Sequence, residues 1–391
     1  MPVEDQSAKS RSVKSQSVKS QSAKSRSAKS RPDKSQSVKA PAAKKSRVPR
    51  HSARTQSGAL NQPEDRQAAE QAPMEQAGPP VSAQTLHFIS GLPRSGSTVL
   101  AALLRQNPRF HAAMSSALAP LVSANLDIMS TGAEVSLLMD ETQRPAILRA
   151  LIEAFCHTTS DRPVFIDTNR LWCARMPLLA DLFPDARVVA CVRDLPWVLD
   201  SLERQFRKNP YENTRLFGGD GERATVYSRM EALARQNRLV GLSWTALKEA
   251  FYGEQSDRLL IVDYELFARA PEQTLKLIYG FLGEPWFDGH DFENVSYDAP
   301  DFDRALGMSG LHTVRPRVAF EPRPTILPPD LFKKFENMDF WTDTAGSRAS
   351  VITAKGADGG GSDGTGGVGK QVTKKTVPVS ALGAGGVKLF G

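Results

Sequence analysis

Residues His87–Asn107 read HFISGLPRSGSTVLAALLRQN, and they carry the clearest structural signal in the chain. A short apolar strand, Leu86–Ile89, runs into a loop that contains Gly91 and Gly96, and an apolar helix begins at Val99. The glycines let the loop backbone curl so that several N–H groups point inward, and the helix N-terminus adds a partial positive charge. The stretch therefore predicts an anion-binding loop between a strand and a helix.

The loop has the spacing of a Walker phosphate-binding loop but lacks the lysine of that loop. Gly91 and Gly96 are separated by four residues, and Ser97 stands where a Walker loop carries lysine after its second glycine. The cation of this loop is Arg94, which lies inside it. A nucleotide kinase would lose its clamp on the β- and γ-phosphates by that change, so the loop suits a different anion.

The sequence around the loop alternates apolar strands with helical patterns. Three further strand-like runs, Val164–Ile166, Arg187–Val192 and Leu259–Val262, each end in polar residues. Helical patterns cover Leu118–Leu138, Arg144–His157, Leu171–Phe183, Pro196–Arg207, Arg223–Phe251 and Pro271–Leu282. This alternation predicts an α/β fold, a parallel sheet with helices on both faces. Ligands of such sheets bind at the carboxyl ends of the strands, where the loop, Asp167–Arg170 and Arg193 all fall.

A second polar segment follows the strand Val188–Val192. Arg193 ends that strand, and Ser201 lies between one and two turns into the helix that follows. Arginine offers a planar, permanently charged fork that suits phosphate oxygens, and the serine hydroxyl adds another donor. Two interpretations of Arg193 stay open, a contact to phosphate or an ion pair with Asp194 or Asp200.

With both segments in hand, Leu86–Trp341 resembles bacterial sulfotransferases of the protein-tyrosine and glycan sulfotransferase branch. The string GLPRSGST is similar to that family's P-[RK]-S-G-[ST]-[ST] loop, and an Arg at a strand end precedes a Ser by eight residues. The resemblance implies a P-loop-like fold and sulfuryl transfer from 3′-phosphoadenylyl sulfate to a hydroxyl or amine acceptor, with no metal required. It assigns the donor's 5′-phosphosulfate to Arg94, Ser95, Gly96, Ser97 and Thr98, and its 3′-phosphate to Arg193 and Ser201.

The catalytic base is where this chain departs from the family pattern. The protein-tyrosine branch carries a Glu after its first helix, but the corresponding residues here, Met114–Ser116, include no carboxylate. Other branches place a base near the end of a later strand, where Asp167 stands, and His111 is a weaker candidate. Arg94 would stabilise the transferring group. Arg170 is either a second cation beside that group or a surface residue paired with Asp167.

A late basic segment, Gly310–Arg317, is a further candidate part of the site. Related families fold such a loop over the nucleotide, so Arg315 and Arg317 could reach the 3′-phosphate. The alternative is a solvated surface loop.

Two other functions stay open at this point. One is a P-loop kinase with a degenerate Walker loop, in which Asp263 would bind Mg²⁺ after the strand Leu259–Val262. The other is a non-enzymatic protein that binds polyanions through its basic N-terminal arm. Binding of adenosine 3′,5′-bisphosphate without metal, against ATP with Mg²⁺, distinguishes the enzyme classes.

The positive charge of the chain is concentrated in that arm. The formal net charge is +7, but residues 1–56 carry fifteen Lys and Arg against three acids, a net +12 that leaves −5 for the rest. Lysine recurs every five residues from Lys9 to Lys44, a step that matches neither helix nor strand. The arm is therefore predicted to be disordered, and it serves either for contact with polyanions or as a solvated repeat.

The predicted organisation is a Lys/Ser-repeat arm over 1–56, a linker over 57–84, a folded domain over 85–344 and a Gly-rich flexible tail over 345–391. No apolar run long enough to span a membrane and no signal-peptide core is present, so the predicted compartment is the cytoplasm. The three cysteines lie in apolar segments and are expected to pack there as small hydrophobic residues.

Overall fold

The computed structural model of the chain describes residues 84–130, 132–354 and 387–390. The predicted arm, the linker up to residue 83 and most of the predicted Gly-rich tail lie outside the described residues. The strands of the described part are β1 Thr85–Gly91, β2 Phe110–Ala112, β3 Val164–Thr168, β4 Val188–Val192, β5 Leu259–Asp263, β6 Ser350–Ala354 and β7 Val387–Phe390.

These strands form one sheet in the order β2-β3-β1-β4-β5-β6-β7. All neighbouring pairs are parallel except β6 and β7, which are antiparallel. The helices are α1 Ser97–Leu104, α2 Leu118–Met129, α3 Gln143–Thr159, α4 Met176–Leu182, α5 Leu195–Lys208, α6 Asp220–Arg223, α7 Val226–Ala234, α8 Leu239–Tyr252, α9 Tyr264–Arg269, α10 Pro271–Leu282, α11 Pro300–Leu306 and α12 Pro329–Lys334. Short 3₁₀ turns cover Glu134–Leu138, Arg170–Arg175, Ser256–Arg258 and Phe340–Thr342.

Helices cover both faces of the sheet, which confirms the predicted α/β fold. Phe88 and Phe165 of the central strands pack into one buried cluster with apolar residues of α2, α3, α5 and α8. Their neighbours Ile89 and Ile166 pack into a second cluster with residues of α1 and α10. Adjacent strand residues face opposite sides of a sheet, so a strand with both faces covered is apolar at nearly every position.

Two of the predicted helices are interrupted. The pattern over Arg223–Phe251 begins at the last residue of α6 and covers α7 and α8, which are separate helices because the chain turns between Ala234 and Leu239. At this turn α8 packs tightly on the preceding backbone: a Cβ atom on Gly241 would lie 2.2 Å from the carbonyl oxygen of Arg235. Helix α2 likewise ends at Met129, and the 3₁₀ turn that completes the predicted helix follows separately. Apolar periodicity continues across both breaks, which is why the sequence predicts single helices.

The predicted start of the flexible tail at residue 345 needs correction for residues 345–354. Strand β6 lies there, and it pairs in parallel with β5 through Ser350 and Val351. Ala349, Val351 and Ile352 are buried, so this short run completes the core of the domain. Its three β-branched residues, Val351–Thr353, are too few to stand out beside a stretch rich in glycine and serine.

No helix in the described parts of the chain is long and apolar enough to cross a membrane. Cys156, Cys173 and Cys191 are buried free thiols, as expected for small hydrophobic residues.

Candidate active site

The loop after β1 begins at a position that only glycine fits. Gly91 has a φ of +101°, and a Cβ atom on it would lie 2.2 Å from the carbonyl oxygen of Cys191 on β4. The next residue, Leu92, donates its N–H to that oxygen at 2.8 Å. Because β1 and β4 are neighbours in the sheet, this close approach determines where the loop leaves it.

The same loop ends at a second constrained glycine. Gly96 caps α1 with a φ of +92°, and a Cβ atom on it would lie 2.9 Å from the ring of Tyr264. Within the described residues, the backbone N–H groups of Ser95–Thr98 have no hydrogen-bond acceptor. Unpaired N–H groups at the N-terminus of a helix form a binding site for an anion.

Arg94 places a guanidinium inside the loop at the expense of backbone strain. Its φ of +60° lies in the left-handed region, which residues with a Cβ atom rarely adopt. Two contacts hold it there: Nε donates to Oγ of Ser201 at 3.1 Å, and Nη1 donates to the carbonyl oxygen of Leu311. Burial and the charge of Arg193 lower the pKa of Arg94 to about 10, so it stays charged at neutral pH. Local strain of this kind is concentrated at functional positions.

Arg193 follows β4 and lies over the ring of Tyr264, 4.6 Å from its centroid. Within the described residues it forms no ion pair with Asp194 or Asp200. Asp200 instead pairs with Arg323 at 2.7 Å. The ion-pair interpretation of Arg193 is therefore not the observed arrangement, and its guanidinium is available to a ligand. An arginine stacked on an aromatic ring is held in one orientation without being neutralised.

The loop, Arg193 and Ser201 line one cavity of about 530 Å³ at the carboxyl ends of β1 and β4. The cationic residues in its wall are Arg94, Arg170, Arg193, Arg204, Lys208, Arg315, Arg317 and Arg323. Among the residues that the structure describes, one acid, Glu321, lines the same wall. Such an excess of positive charge in a concave site favours a ligand that carries several negative charges.

The structure brings most of the predicted site residues to this cavity. Those in its wall are Arg94, Gly96, Ser97, Thr98, Arg170, Arg193 and Ser201. Ser95 is not among them: it is buried, and its Oγ donates to the carbonyl oxygen of Pro93 at 3.3 Å. Its contribution to the loop is therefore its backbone N–H.

Asp167 also lies away from the cavity. Its buried carboxylate accepts hydrogen bonds from Nε1 of Trp172 at 2.7 Å and from Oγ of Ser116. Burial raises the pKa of Asp167, and the two hydrogen bonds oppose that shift. Of the two interpretations of Arg170, the ion pair with Asp167 is not the observed arrangement; Arg170 lines the cavity, and desolvation by the surrounding protein lowers its pKa. His111 lies outside the cavity too, stacked on an aromatic ring of β3.

The late basic segment reaches the cavity, but its arginines have partners. Arg315 pairs with Glu321, and Arg317 pairs with Glu293 at 3.1 Å. All four side chains are more than half exposed, so each pair contributes little to stability and a ligand could displace either acid.

Among the residues of the cavity wall that sequence reasoning did not single out are Tyr264, His312 and Arg323. His312 forms a hydrogen bond with the buried residue Asp303, whose Oδ1 lies 2.5 Å from Nδ1 of the ring. A histidine within the late basic segment was visible in the sequence, but its pairing with an acid nine residues away was not. Tyr264 begins α9 after β5, and Arg323 lies in an irregular segment, so neither belongs to a recognisable motif.

Asp263, the residue that a kinase would use to bind Mg²⁺, acts here as a helix cap. Its Oδ1 accepts the backbone N–H groups of Glu265 and Leu266 at the start of α9. Burial first, and then the negative charges of Asp194 and Glu265, raise the pKa of Asp263 to about 6. No group of three His, Cys, Asp or Glu side chains suited to a metal ion occurs in the described part of the chain.

Comparison with known proteins adds an independent finding. The profile that describes the sulfotransferase family matches residues 87–288, just over half of the chain. The matched region includes β1, the loop, β3, β4 and β5, and thus every strand that lines the cavity.

Individual relatives are more distant. Protein-tyrosine sulfotransferase 1 of Danio rerio is 24% identical over 209 residues, which cover 52% of this chain and 54% of that protein. Protein-tyrosine sulfotransferase 2 of Gallus gallus is 27% identical over 218 residues, which cover 52% of each. The chain spans about half the length of the curated relatives it matches. Among solved structures, the sulfotransferase domain of the Synechococcus PCC 7002 olefin synthase is 19% identical, with a TM-score of 0.36 over 66% of this chain and 96% of that domain.

Proposed function

This chain belongs to the sulfotransferase family, and from that premise we propose that it transfers a sulfuryl group from 3′-phosphoadenylyl sulfate to a hydroxyl or amine acceptor. The observation that carries the proposal is the cavity of about 530 Å³, in which an anion-binding loop meets a second group of cations. The proposed donor carries two separate anionic ends, a 5′-phosphosulfate and a 3′-phosphate. A site for it needs two sets of donors in one cavity.

The residues present fit such a donor. The unpaired N–H groups of Ser95–Thr98 and the hydroxyls of Ser97 and Thr98 would hold the 5′-phosphosulfate. Arg193, which has no acidic partner among the described residues, would hold the 3′-phosphate together with Ser201. Both groups of donors are in place without the ligand, since the glycines and the Tyr264 ring determine the backbone path and the Arg193 orientation.

When bound, the donor supplies a sulfuryl group whose bond to the 5′-phosphate breaks on transfer. The contribution of this chain is then alignment and fixed positive charge. Arg94 is held within the loop by Ser201 and Leu311, so its charge need not reorganise as negative charge builds up beside it. Arg170 adds a second cation to the same wall, and it forms no ion pair with an acid among the described residues.

The first experiment tests donor binding with the non-reactive product adenosine 3′,5′-bisphosphate. Saturating ligand raises the melting temperature of the full chain, because it binds the folded state alone, and added Mg²⁺ does not increase the shift. Adenosine 5′-monophosphate, which lacks the 3′-phosphate, is the matched control and gives a much smaller shift. A shift with ATP and Mg²⁺, and none with the bisphosphate, would instead identify a kinase.

The second experiment tests transfer itself. The full chain is incubated with donor carrying labelled sulfur and with a panel of phenols, alcohols and amines. A tyrosine-containing peptide leads the panel, since the curated relatives are named protein-tyrosine sulfotransferases. The label is expected in an acceptor product, and hydrolysis to free sulfate with every acceptor would count against the proposal.

A further inference from the structure

The late basic segment carries a histidine that a buried carboxylate holds in one orientation. Asp303 of α11 is fully buried, and its two oxygens accept two groups of His312: Oδ2 accepts the backbone N–H at 2.9 Å, and Oδ1 accepts the ring Nδ1–H at 2.5 Å. The ring of Phe302 stands 5.5 Å away, edge-on to the imidazole. Backbone and ring are thus both fixed by one residue.

This arrangement determines which ring nitrogen faces a ligand. A carboxylate accepts hydrogen bonds and cannot donate them, so Nδ1 carries the proton and Nε2 keeps its lone pair. His312 lines the cavity, and within the described residues its Nε2 has no hydrogen-bond partner. The preceding residue, Leu311, accepts the Nη1 hydrogen bond of Arg94 through its carbonyl oxygen. His312 therefore belongs to the same wall as the loop arginine.

The charges around His312 favour its neutral form. Burial lowers the pKa of His312 most, and the positive charges of Arg94 and Arg170 lower it further. The hydrogen bond and the charge of Asp303 raise the pKa, but the net shift is below the usual 6.5. At neutral pH the imidazole is then uncharged and able to accept a proton. His312 lines the same cavity as Arg94 and Arg170, the two cations proposed to face the sulfuryl group, and Arg94 donates to the carbonyl oxygen of the preceding residue.

We propose that His312 is the general base of the reaction and that Asp303 is its positioning residue, an inference that rests on the proposed sulfuryl transfer. Nε2 takes the proton of the acceptor hydroxyl as the acceptor oxygen forms its bond to sulfur. The bond between sulfur and the 5′-phosphate oxygen breaks, and its electron pair leaves with the phosphate. His312 ends as an imidazolium stabilised by Asp303, and it returns the proton to solvent.

The geometry favours His312 over Asp167 for this role. Both oxygens of Asp167 are occupied by Ser116 and Trp172, and the carboxylate does not line the cavity. A base must come within hydrogen-bond reach of the proton it removes. His312 lines the cavity in which an acceptor would bind, whereas Asp167 lies outside it and would first have to give up its buried partners.

The first test reads the ring directly and needs no acceptor. The chain contains six histidines, so ¹⁵N-histidine labelling of the full chain gives a spectrum in which His312→Gln identifies one signal. The expected tautomer of His312 carries the proton on Nδ1, and the ring titrates below pH 6.5. Asp303→Asn should lower that pKa further, since it removes the charge that raises it. A proton on Nε2 at neutral pH, or a ring already charged there, would overturn the proposal.

The second test compares two phenols of similar size, one un-ionised and one already ionised at the assay pH. His312→Gln should lower kcat for the un-ionised phenol by roughly 10²- to 10⁴-fold and for the ionised phenol far less, since a phenolate needs no base. Its Kd for adenosine 3′,5′-bisphosphate should stay within about threefold of wild type. The acid limb of the wild-type pH profile should be absent from the variant. Equal losses for both phenols would show a structural role and remove His312 as the base.

Two controls complete the design. His111→Gln alters a histidine outside the cavity, and Asp167→Asn removes the competing carboxylate; both should retain turnover. If His312→Gln fails to fold, Asp303→Asn replaces it in the test. This variant should have a lower kcat for the un-ionised phenol and a lower pKa of the His312 ring. A wild-type protein that binds no bisphosphate and transfers no sulfuryl group refutes the proposed function. Activity that survives His312→Gln refutes only the base.

Discussion

Arg94 and Ser201 are 107 residues apart in the chain, and Nε of the first donates to Oγ of the second at 3.1 Å. The bond joins the anion-binding loop to α5, so it connects the proposed 5′-phosphosulfate site with the proposed 3′-phosphate site. Arg94 keeps a left-handed backbone in this position, with a φ of +60°. The guanidinium is therefore placed by contacts on both sides of the cavity before any ligand binds.

The first prediction separates the two partners of that bond. Arg94→Ala should lower kcat, because it removes a fixed charge beside the transferring group. The activation free energy should rise by about 3–4 kcal/mol. Ser201→Ala removes a neutral hydroxyl and should weaken binding by about 1 kcal/mol. It should lower kcat less than Arg94→Ala does, because Leu311 still holds the guanidinium. Steady-state kinetics and calorimetry with adenosine 3′,5′-bisphosphate measure both. Loss of affinity alone in Arg94→Ala would deny it a role in the transition state.

Arg193 should act on binding rather than on turnover. Arg193→Ala removes a charged donor that has no acidic partner among the described residues, and it should weaken bisphosphate binding by about 2–3 kcal/mol. Arg315→Ala is the matched control, since that arginine lines the same cavity but pairs with Glu321 at the surface. Its effect should stay below about 1 kcal/mol. Comparable losses in the two variants would mean that the cavity attracts anions without a specific role for Arg193.

The raised pKa of Asp263, about 6, predicts a pH dependence of stability. The folded protein holds this proton more tightly than the unfolded chain, whose Asp has a pKa of about 4. The free energy of unfolding therefore loses a contribution as pH rises from about 4 to about 6. Asp263→Asn keeps an acceptor for the α9 cap and should flatten that part of the pH profile. It should also preserve sulfuryl transfer, whereas a kinase would lose its metal ligand.

The two arginines that bind Glu203 should contribute unequally to the free energy of unfolding. This fully buried carboxylate accepts Nε and Nη2 of Arg229 at 2.8 and 2.6 Å, and it accepts Nε of Arg207 at 2.8 Å. Arg229 is nearly buried and Arg207 is half exposed. Arg229→Met should lower the free energy of unfolding by roughly 3 kcal/mol, since it leaves a buried charge poorly paired. Arg207→Met should cost less than about 1 kcal/mol by the same denaturant titration.

Deletion of residues 1–82 tests the predicted domain organisation. The shortened protein should keep the melting temperature and the bisphosphate affinity of the full chain, because no strand or helix described here begins before Thr85. It should lose salt-sensitive adhesion to DNA, since the positive charge of the chain lies in the deleted segment. Failure of the shortened protein to fold would show that the domain begins earlier than residue 85.

Much of the architecture could be predicted because its signals are local. The strands β1, β3, β4 and β5 are continuous apolar runs, and a strand covered on both faces needs such a run. Strands β2, β6 and β7 escaped prediction because none offers more than a few apolar residues, and their pairing with neighbouring strands is what makes them strands. The opposite error occurs over Arg223–Phe251. The apolar periodicity of a helix continues there across the turn between α7 and α8, so a single helix is predicted where the chain forms two.

Local sequence patterns are enough to predict the parallel α/β sheet, the glycine positions of the loop, and the placement of Arg94 and Arg193 at strand ends. Each follows from neighbours a few residues away. Tertiary packing alone sets the direction in which the Asp167 side chain points, since a one-residue change along a strand moves a side chain to the opposite face. It also decided the bond from Arg94 to Ser201 and the union of Asp303 with His312. Such contacts depend on how separate elements pack, and no local pattern encodes that packing.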